Sequence, residues 1–362
     1  MSSRRRRSCA PRLLCCALAA LAALSGCRAD EPAPSDAKTE AAAEKKPVID
    51  QKIESAVAAA QKSAGSVNPA APGQLTPPED GILDAAAAAL EVAPGSAAQL
   101  VFGGAGADPK LTLGGPVQTS ALTRGHLEVS YRSGSGAMPT VDFELQLKAA
   151  VSAAGAVPAE GDVTTRFMFA SAGLGATQPG RLPENARAEI AKLKGSSVEF
   201  VTSPRGASKG FRFALGGDNP GLVPLVMGGA EALASVVLPY PEQPVGSGAF
   251  WMVKSRETLN GAQVLAYRMV KVSQVSGDAA QLEVVTRRYL LEAALPMASL
   301  PPHRVRQFES EGKATLSVRA GTAYPTEAEV EDTFTAILSL NERPNQPAPL
   351  QSEVHAKLQL TP

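Results

Sequence analysis

Alternation of apolar and polar side chains constrains the fold of this 362-residue chain more than any other feature. Every second residue is apolar in residues 141–148, and the residues between them are polar. Residues 127–131 and 354–360 repeat this period of two. Because successive side chains of a strand point to opposite faces of a sheet, each stretch predicts a strand of an antiparallel sheet with one face in water.

Apolar runs between Gly, Pro and Ser turns predict further strands. They cover residues 197–202, 210–215, 250–255, 264–273, 281–291, 304–309 and 333–340. Three helices are predicted among them, at residues 81–92, 183–194 and 224–238. The last is apolar around its whole circumference, with Glu231 as its one charge, so it must be covered on most sides. These patterns predict an α+β fold built on a mainly antiparallel sheet.

The N-terminus has the three parts of a lipoprotein export signal. Residues 4–12 carry five arginines, residues 13–24 are an apolar run of 12, and residues 24–27 read Leu-Ser-Gly-Cys. As a helix the apolar run would be about 18 Å long, too short for a hydrocarbon core of roughly 30 Å. We therefore predict a signal peptide at residues 1–26 and a lipid anchor, palmitate included, on Cys27. An ordinary signal peptide in which Cys27 is incidental is the alternative.

The predicted anchor places the protein in the cell envelope. More than one acyl chain on a residue holds a protein stably at a membrane. Arg28 follows the cysteine. In Gram-negative sorting an Asp at this position favours the inner membrane, so Arg28 favours the outer membrane. We predict a periplasm-facing lipoprotein whose membrane partner is reached through the lipid on Cys27.

Several kinds of chemistry are excluded by composition. All four cysteines, Cys9, Cys15, Cys16 and Cys27, lie in the signal or at the lipid site, so the rest has no disulfide, Cys-bound metal or thiol nucleophile. Loss of the five signal arginines leaves 35 − 5 = 30 basic residues against 35 acidic ones, a net charge of −5. With aromatic residues at only 4%, this balance argues against nucleic acid as a partner.

Composition also divides the mature chain. Residues 27–80 are rich in Ala, Pro, Glu and Lys and carry few large apolar side chains, which predicts a disordered tether. A flexible tether of about 50 residues spans on the order of 40 Å. Residues 81–362 are predicted as a single β-rich body. Within it, residues 125–132 and 312–319 share Gly, Ser and Arg at the same spacing, which indicates two related halves; chance similarity of two strands is the alternative.

The motifs that resemble catalytic or metal sites have structural explanations. The Gly-x-Ser-x-Gly pattern at residues 206–210 lacks a following helix, so it predicts a hairpin turn. His126, His303 and His355 are dispersed and predict no metal site. The acidic residues of 327–332 predict a solvated sheet edge, where charge discourages pairing. We expect no catalytic residue, no metal and no cofactor.

Residues 241–291 resemble an uncharacterised lipoprotein family of Gram-negative bacteria, a domain of unknown function. The matching residues are Pro244, Val245, Gly246, Gly248 and Trp251, then Gly261 before the strand at 264–272. The family lends no activity and no catalytic residue. Such lipoproteins are similar in outline to the half-barrel of lipoprotein carriers, in which a curved antiparallel sheet wraps around helices. The resemblance thus implies a curved, half-barrel-like sheet with two or three helices packed on it.

We expect a non-catalytic lipoprotein that binds a ligand or maintains the envelope. The apolar helix at 224–238 favours an apolar small molecule held in a groove between sheet and helix. Met227, Leu233 and Trp251 are the candidate groove residues; a plain core position is the alternative for Trp251. Two other functions stay open: a structural scaffold that binds another envelope protein through a sheet edge, and an envelope hydrolase.

Overall fold

The computed structural model describes residues 78–114, 123–133, 136–151, 163–178, 180–203, 205–217, 220–259, 262–295, 303–322, 324–340 and 343–361. The predicted signal peptide, Cys27, nearly all of the predicted tether and Gly261 lie outside these residues. The helices are α1 (Ala85–Glu91), α2 (Ala186–Ala191) and α3 (Val223–Ser235), the last preceded by a 3₁₀ turn. Helices α1 and α2 lie inside the longer ranges predicted for them. Helix α3 begins one residue before its predicted range and ends at Ser235, inside it.

Strands make up most of the described chain. They are β1 (Gln99–Gly104), β2 (Ala107–Leu111), β3 (Thr123–Ser133), β4 (Gly136–Ala137), β5 (Val141–Val151), β6 (Val163–Leu174), β7 (Ser197–Thr202), β8 (Ser208–Ala214), β9 (Val245–Ser247), β10 (Phe250–Leu259), β11 (Ala262–Ser276), β12 (Ala279–Leu290), β13 (Ala294–Leu295), β14 (His303–Arg319), β15 (Glu327–Leu340) and β16 (Arg343–Thr361). The Gly-x-Ser-x-Gly pattern leads from the turn into β8, and β7 and β8 form an antiparallel hairpin.

One large antiparallel sheet dominates the described residues. Its order is β1-β10-β11-β12-β14-β15-β16-β3-β5-β6-β7-β8, with β13 and β4 paired at the side, while β2 and β9 form a separate pair. The two ends of this order, β1 and β8, do not pair with each other, so the sheet is open. The prediction of a mainly antiparallel α+β fold with few helices is confirmed.

The sheet has an apolar face and a polar face, as the alternation predicts. Helix α3 lies on the apolar face against β3, β16, β15 and β8. Gly228 and Gly229 let it approach closely: a Cβ on Gly228 would lie 3.3 Å from Tyr131 and 3.4 Å from Val129. This packing forms the main apolar cluster of the protein, which includes Leu225, Val226 and Leu233 of the helix.

Helix α1 is positioned by local capping. The Asp84 carboxylate accepts hydrogen bonds from the backbone N–H groups of Ala86 (2.8 Å) and Ala87 (3.2 Å), which satisfies two of the donors left free at a helix start. The helix packs with Ala88 and Val92 against Leu265 and Leu291, so it covers the other side of β11 and β12.

The prediction that the acidic run lies on a sheet edge is wrong. Strand β15 pairs with β14 on one side and with β16 on the other, which places the run in the middle of the sheet. Glu327, Glu329 and Glu331 are exposed because they lie on the polar face. Asp332 is one residue out of phase with them and is buried on the apolar face.

The two similar sequence stretches have the same strand register. In the first, Val129 pairs with Val141; in the second, Leu316 pairs with Ala328, and the partners are 12 residues apart in both (141 − 129 and 328 − 316). The matching register is what two copies of one unit would have. That the halves arose by duplication stays a prediction.

Candidate functional site

A layer of charged side chains, three of them buried and one half-buried, crosses the apolar face of the sheet. We call Glu257, Arg268, Arg288 and Asp332 the ionic layer; they lie on β10, β11, β12 and β15. Arg268 donates to both carboxylate oxygens of Glu257, with Nη2 to Oε2 at 2.8 Å. Arg288 donates from both Nη atoms to the two oxygens of Asp332, at 2.6 Å each. Arg288 Nε lies 3.7 Å from Glu257 Oε2, which joins the two pairs.

Neighbouring small residues support the ionic layer, although Arg268 Nε is buried without a hydrogen-bond partner. Ser255 Oγ donates to Glu257 at 2.6 Å and accepts from Arg268 Nη1 at 3.2 Å, while Ser310 Oγ accepts from Arg288 Nη1 at 3.3 Å. Gly312 lies opposite Asp332, and a Cβ there would come within 3.3 Å of the carboxylate. Bidentate, hydroxyl-supported pairs are what allow charges to be buried in a protein interior.

Opposite charges keep Glu257 and Arg288 ionised in spite of their burial. Burial pushes the pKa of the Glu257 carboxyl upward, but the guanidinium groups of Arg268 and Arg288 outweigh it, and the pKa ends below its usual value of 4.5. Burial would likewise lower the pKa of Arg288, but the carboxylate of Asp332 outweighs it and raises that pKa. Glu231 of α3 acts on Arg288 in the same direction, so the one charge of the apolar helix is coupled electrostatically to the layer.

We expect acid to destabilise the protein through Glu257. The folded pKa of this carboxyl lies below its unfolded value, so its contribution is present above pH 4.5 and is lost as the pH falls through the folded pKa. Urea titrations between pH 7 and pH 3 should show the free energy of unfolding falling on acidification, and falling less in Glu257→Gln. An equal fall in both proteins would contradict this role.

The ionic layer separates two apolar regions of the same face. On one side is the main cluster with α3. On the other is a second group, the distal cluster, made by Leu259, Ala262, Val264, Leu290, Val305, Phe308, Phe334, Ala336 and Leu338. Along β12 the order is Val284 in the main cluster, Arg288, then Leu290 in the distal cluster. An amphipathic molecule on this face would have apolar contacts on either side of buried charge.

The candidate groove residues lie on the α3 side of the ionic layer. Leu233 and Trp251 are fully buried members of the main cluster, and Met227 is half-buried on α3. The indole Nε1 of Trp251 donates to the carbonyl oxygen of Pro239 at 3.2 Å, which ties β10 to the segment after α3. The structure thus brings two of the three residues into one cluster, and contact with a ligand stays a prediction.

Two glycines of the motif behind the family resemblance have structural roles. A Cβ on Gly246 would lie 1.7 Å from the carbonyl oxygen of Ala107, because β9 packs directly on β2. Gly248 has a φ of +82°, a conformation that L side chains rarely adopt. The motif therefore forms the turn that precedes Trp251 and places this side chain in the core.

A cleft of about 440 Å³ lies on the polar face, where β14, β15, β16 and β3 run side by side. Carboxylates, two lysines and His355 line it, and none of the candidate groove residues does. Lys357 and Glu329 are 3.4 Å apart with both side chains 69% exposed, so their pairing is worth little. The chemistry of this cleft does not suit an apolar ligand.

The cleft also holds the residue types of a hydrolase. His355 Nε2 is 2.5 Å from Glu353 Oε1, and Ser130 is the cross-strand partner of His355. Acyl transfer also needs hydrogen-bond donors for the developing oxyanion. Beside His355, β16 pairs with β15 on one side and with β3 on the other, so its backbone amides serve the sheet ladder. Within the described ranges, no three His, Cys, Asp or Glu residues are grouped to hold a metal.

The sequence reasoning missed the ionic layer, although a signal for it was present. Arg268 falls in the apolar phase of β11, with Ala266 and Val270 on either side of it in that phase. Arg288 likewise falls in the buried phase of β12, with Thr286 and Leu290 on either side of it in that phase. A charged residue in the apolar phase of an alternating strand must be paired or functional, because burying a lone charge is too costly.

Comparison with known proteins adds no assignment. No family model matches this chain, and no curated protein matches it. Among solved structures, the binding domain of Botulinum Neurotoxin DC in complex with SialylT is similar at 8% identity over 75% of this chain and 95% of that chain. Its TM-score is 0.12, which carries no argument. In the part of the chain that the structure describes, no helix has the length and apolar character needed to cross a membrane.

Proposed function

We propose that this chain is a non-catalytic lipoprotein, anchored to the outer membrane through Cys27, that binds an apolar or amphipathic ligand on the apolar face of its sheet. The observation that carries the proposal is α3, an apolar helix seated on one face of an open sheet. The curved, half-barrel-like outline of lipoprotein carriers is consistent with this arrangement and belongs to the proposal.

The sequence and packing of α3 favour displacement of this helix by a ligand. Leu222 at its N-terminal end makes no side-chain cap, and Gly228 and Gly229 lie in its interior. A glycine inside a helix costs about 1 kcal/mol relative to alanine. The helix is therefore held by burial of its apolar side chains rather than by its own propensity. A ligand that replaces those contacts removes the main force that holds the helix in place.

Mass spectrometry of the intact protein tests the ligand. The full chain is extracted from membranes, washed, and analysed under native and denaturing conditions. Ligand binding predicts a lipid-sized adduct that is released on denaturation, in addition to the acyl chains that stay covalently bound. A protein that carries covalent acyl chains and no releasable adduct, even after incubation with envelope lipids, would overturn the proposal.

Replacement of the lipidated cysteine tests the anchor. Cys27→Ser removes the thiol that the acyl chains require, so we expect the protein to leave the membrane fraction and to incorporate no labelled palmitate. Cys16→Ser, inside the predicted signal, is the matched control and should leave both properties unchanged. Retention of Cys27→Ser in the membrane pellet after a carbonate wash would show that the anchor is elsewhere.

A scaffold function is the second candidate, and the open edge at β8 favours it. Phe211 and Phe213 on this strand are half-buried, and Met168 is 37% exposed. A strand with one unpaired edge can accept a strand from another protein. A photo-crosslinker at Arg212 in living cells should capture one defined envelope protein if the chain is a scaffold. It should capture none if no partner strand pairs with β8.

A further inference from the structure

The pairing of β12 with β14 is interrupted in the middle of the sheet. Their ladder ends at Arg287 and Glu311. Pairing with β14 resumes only at Ala294 and Arg304, through the short strand β13. The stretch between these points is a seam at which neither strand has the other as a partner. Unpaired buried backbone groups are costly, so something else must satisfy them.

The first described residues of the body fill the seam. We call Asp80–Leu83 the strap. Phe308 N–H donates to the carbonyl oxygen of Asp80 at 2.8 Å, and Leu290 N–H donates to that of Gly81 at 3.0 Å. Leu83 N–H donates to the carbonyl oxygen of Leu290 at 2.8 Å, and Ile82 forms a parallel bridge with Leu290. The strap therefore bonds to both strands at once, as an inserted strand would.

Side chains of the strap go to both faces of the sheet. Ile82 packs against the distal cluster on the apolar face, and Leu83 packs with Leu265 and Leu291 beneath α1. Release of the strap would uncover Leu290 and Phe308 and give access to the distal cluster from the seam. Arg288 of the ionic layer is the first residue of β12 within this opening.

One glycine decides whether the strap fits. Gly81 has a φ of +70°, and a Cβ there would lie 1.8 Å from the carbonyl oxygen of Phe308. Any other residue must move the strap or the strand. Gly95 provides a matched comparison, because its φ is +76° and a Cβ there would meet nothing within 4 Å. An alanine would be strained at both positions because of the positive φ, but only at Gly81 would its Cβ also collide with β14.

We propose that the strap is a removable gate: it closes a lateral entrance to the apolar face between β12 and β14, and its release admits the apolar chain of a ligand to the distal cluster. This inference rests on the proposed function and adds the route of entry. Because the strap begins at Asp80, the last residue of the predicted tether, the state of the entrance is coupled to the segment that leads to the anchor.

The experiment compares full-length Gly81→Ala with full-length Gly95→Ala, both carrying Cys27→Ser so that the N-terminal segments are identical. Hydrogen–deuterium exchange reports on peptides that contain Leu290 and Phe308. Stopped-flow fluorescence measures the association rate of a fluorescent long-chain fatty acid. Ile82→Asp is a second variant that leaves Gly81 in place, and it serves if Gly81→Ala does not fold.

We expect faster exchange at Leu290 and Phe308 in Gly81→Ala and not in Gly95→Ala. In Gly81→Ala the association rate of the fatty acid should also rise about tenfold, because the fraction of protein with an open entrance sets the rate of entry. Unchanged exchange would overturn the strap as a gate, as would faster exchange with an association rate equal to that of Gly95→Ala. Failure of every protein, Cys27→Ser alone included, to bind the probe would overturn the proposed function itself, which distinguishes the two failures.

Discussion

Arg288→Ala is expected to lower the free energy of unfolding by about 3–5 kcal/mol, the range for removing one partner of a buried ion pair. The side chains of Arg288 and Asp332 are only 4% and 8% exposed. Without the guanidinium, Asp332 stays buried with no cation to balance it, and Glu257 loses one of its two partners. Urea denaturation followed by circular dichroism measures the change.

Two further variants separate the charge from other effects of the substitution. Arg205→Ala removes an arginine that is 55% exposed and 3.6 Å from Glu242, so its cost should stay within about 1 kcal/mol. Arg288→Met combined with Asp332→Leu replaces the pair by apolar side chains and should recover most of the stability. If the double variant is as unstable as Arg288→Ala, the uncompensated charge is not the cause.

Leu233→Ala is expected to cost about 2–5 kcal/mol, the range for truncating a large buried side chain. Leu233 is fully buried in the main cluster, where α3 meets the sheet. Leu90→Ala makes the same chemical change at a position that is 78% exposed, and it should stay within about 0.5 kcal/mol. A cost for Leu233→Ala as small as that for Leu90→Ala would mean that α3 does not pack firmly on the sheet.

The periodic parts of the fold could be predicted from the sequence. The alternation at residues 141–148 placed β5 and its faces correctly, and the predicted strand at 197–202 coincides with β7. Pro224 and the uniformly apolar composition after it located α3. These predictions succeed because period, turn residues and helix breakers act over a few residues, within reach of local reasoning.

The order of the strands and the pairing of buried charges could not be predicted in the same way. The acidic run predicts an edge because exposed charge is typical of edges. It lies on a central strand, and its glutamates are exposed there because a whole face of the sheet is in water. Arg288 meets Asp332 across 44 residues of sequence, whereas Arg268 meets Glu257 within the β10–β11 hairpin. The strap joins residue 80 to Phe308, a contact that no local pattern encodes.

The ionic layer and the strap make the distal half of the apolar face a distinct region. Buried charges separate it from α3, and the strap closes it at the seam. If the proposed function holds, we expect the ligand to have an apolar chain and a polar end, which would match both features.

Titration of the full chain with a fluorescent long-chain fatty acid measures whether the apolar face binds such a ligand. The titration uses Cys27→Ser, with Leu233→Ala and Leu90→Ala built into it, so that all proteins share one N-terminus. We expect saturable binding that an unlabelled fatty acid displaces, with an affinity changed by Leu233→Ala and unchanged by Leu90→Ala. A fluorescence signal that rises linearly with probe and is the same in all three proteins would contradict it.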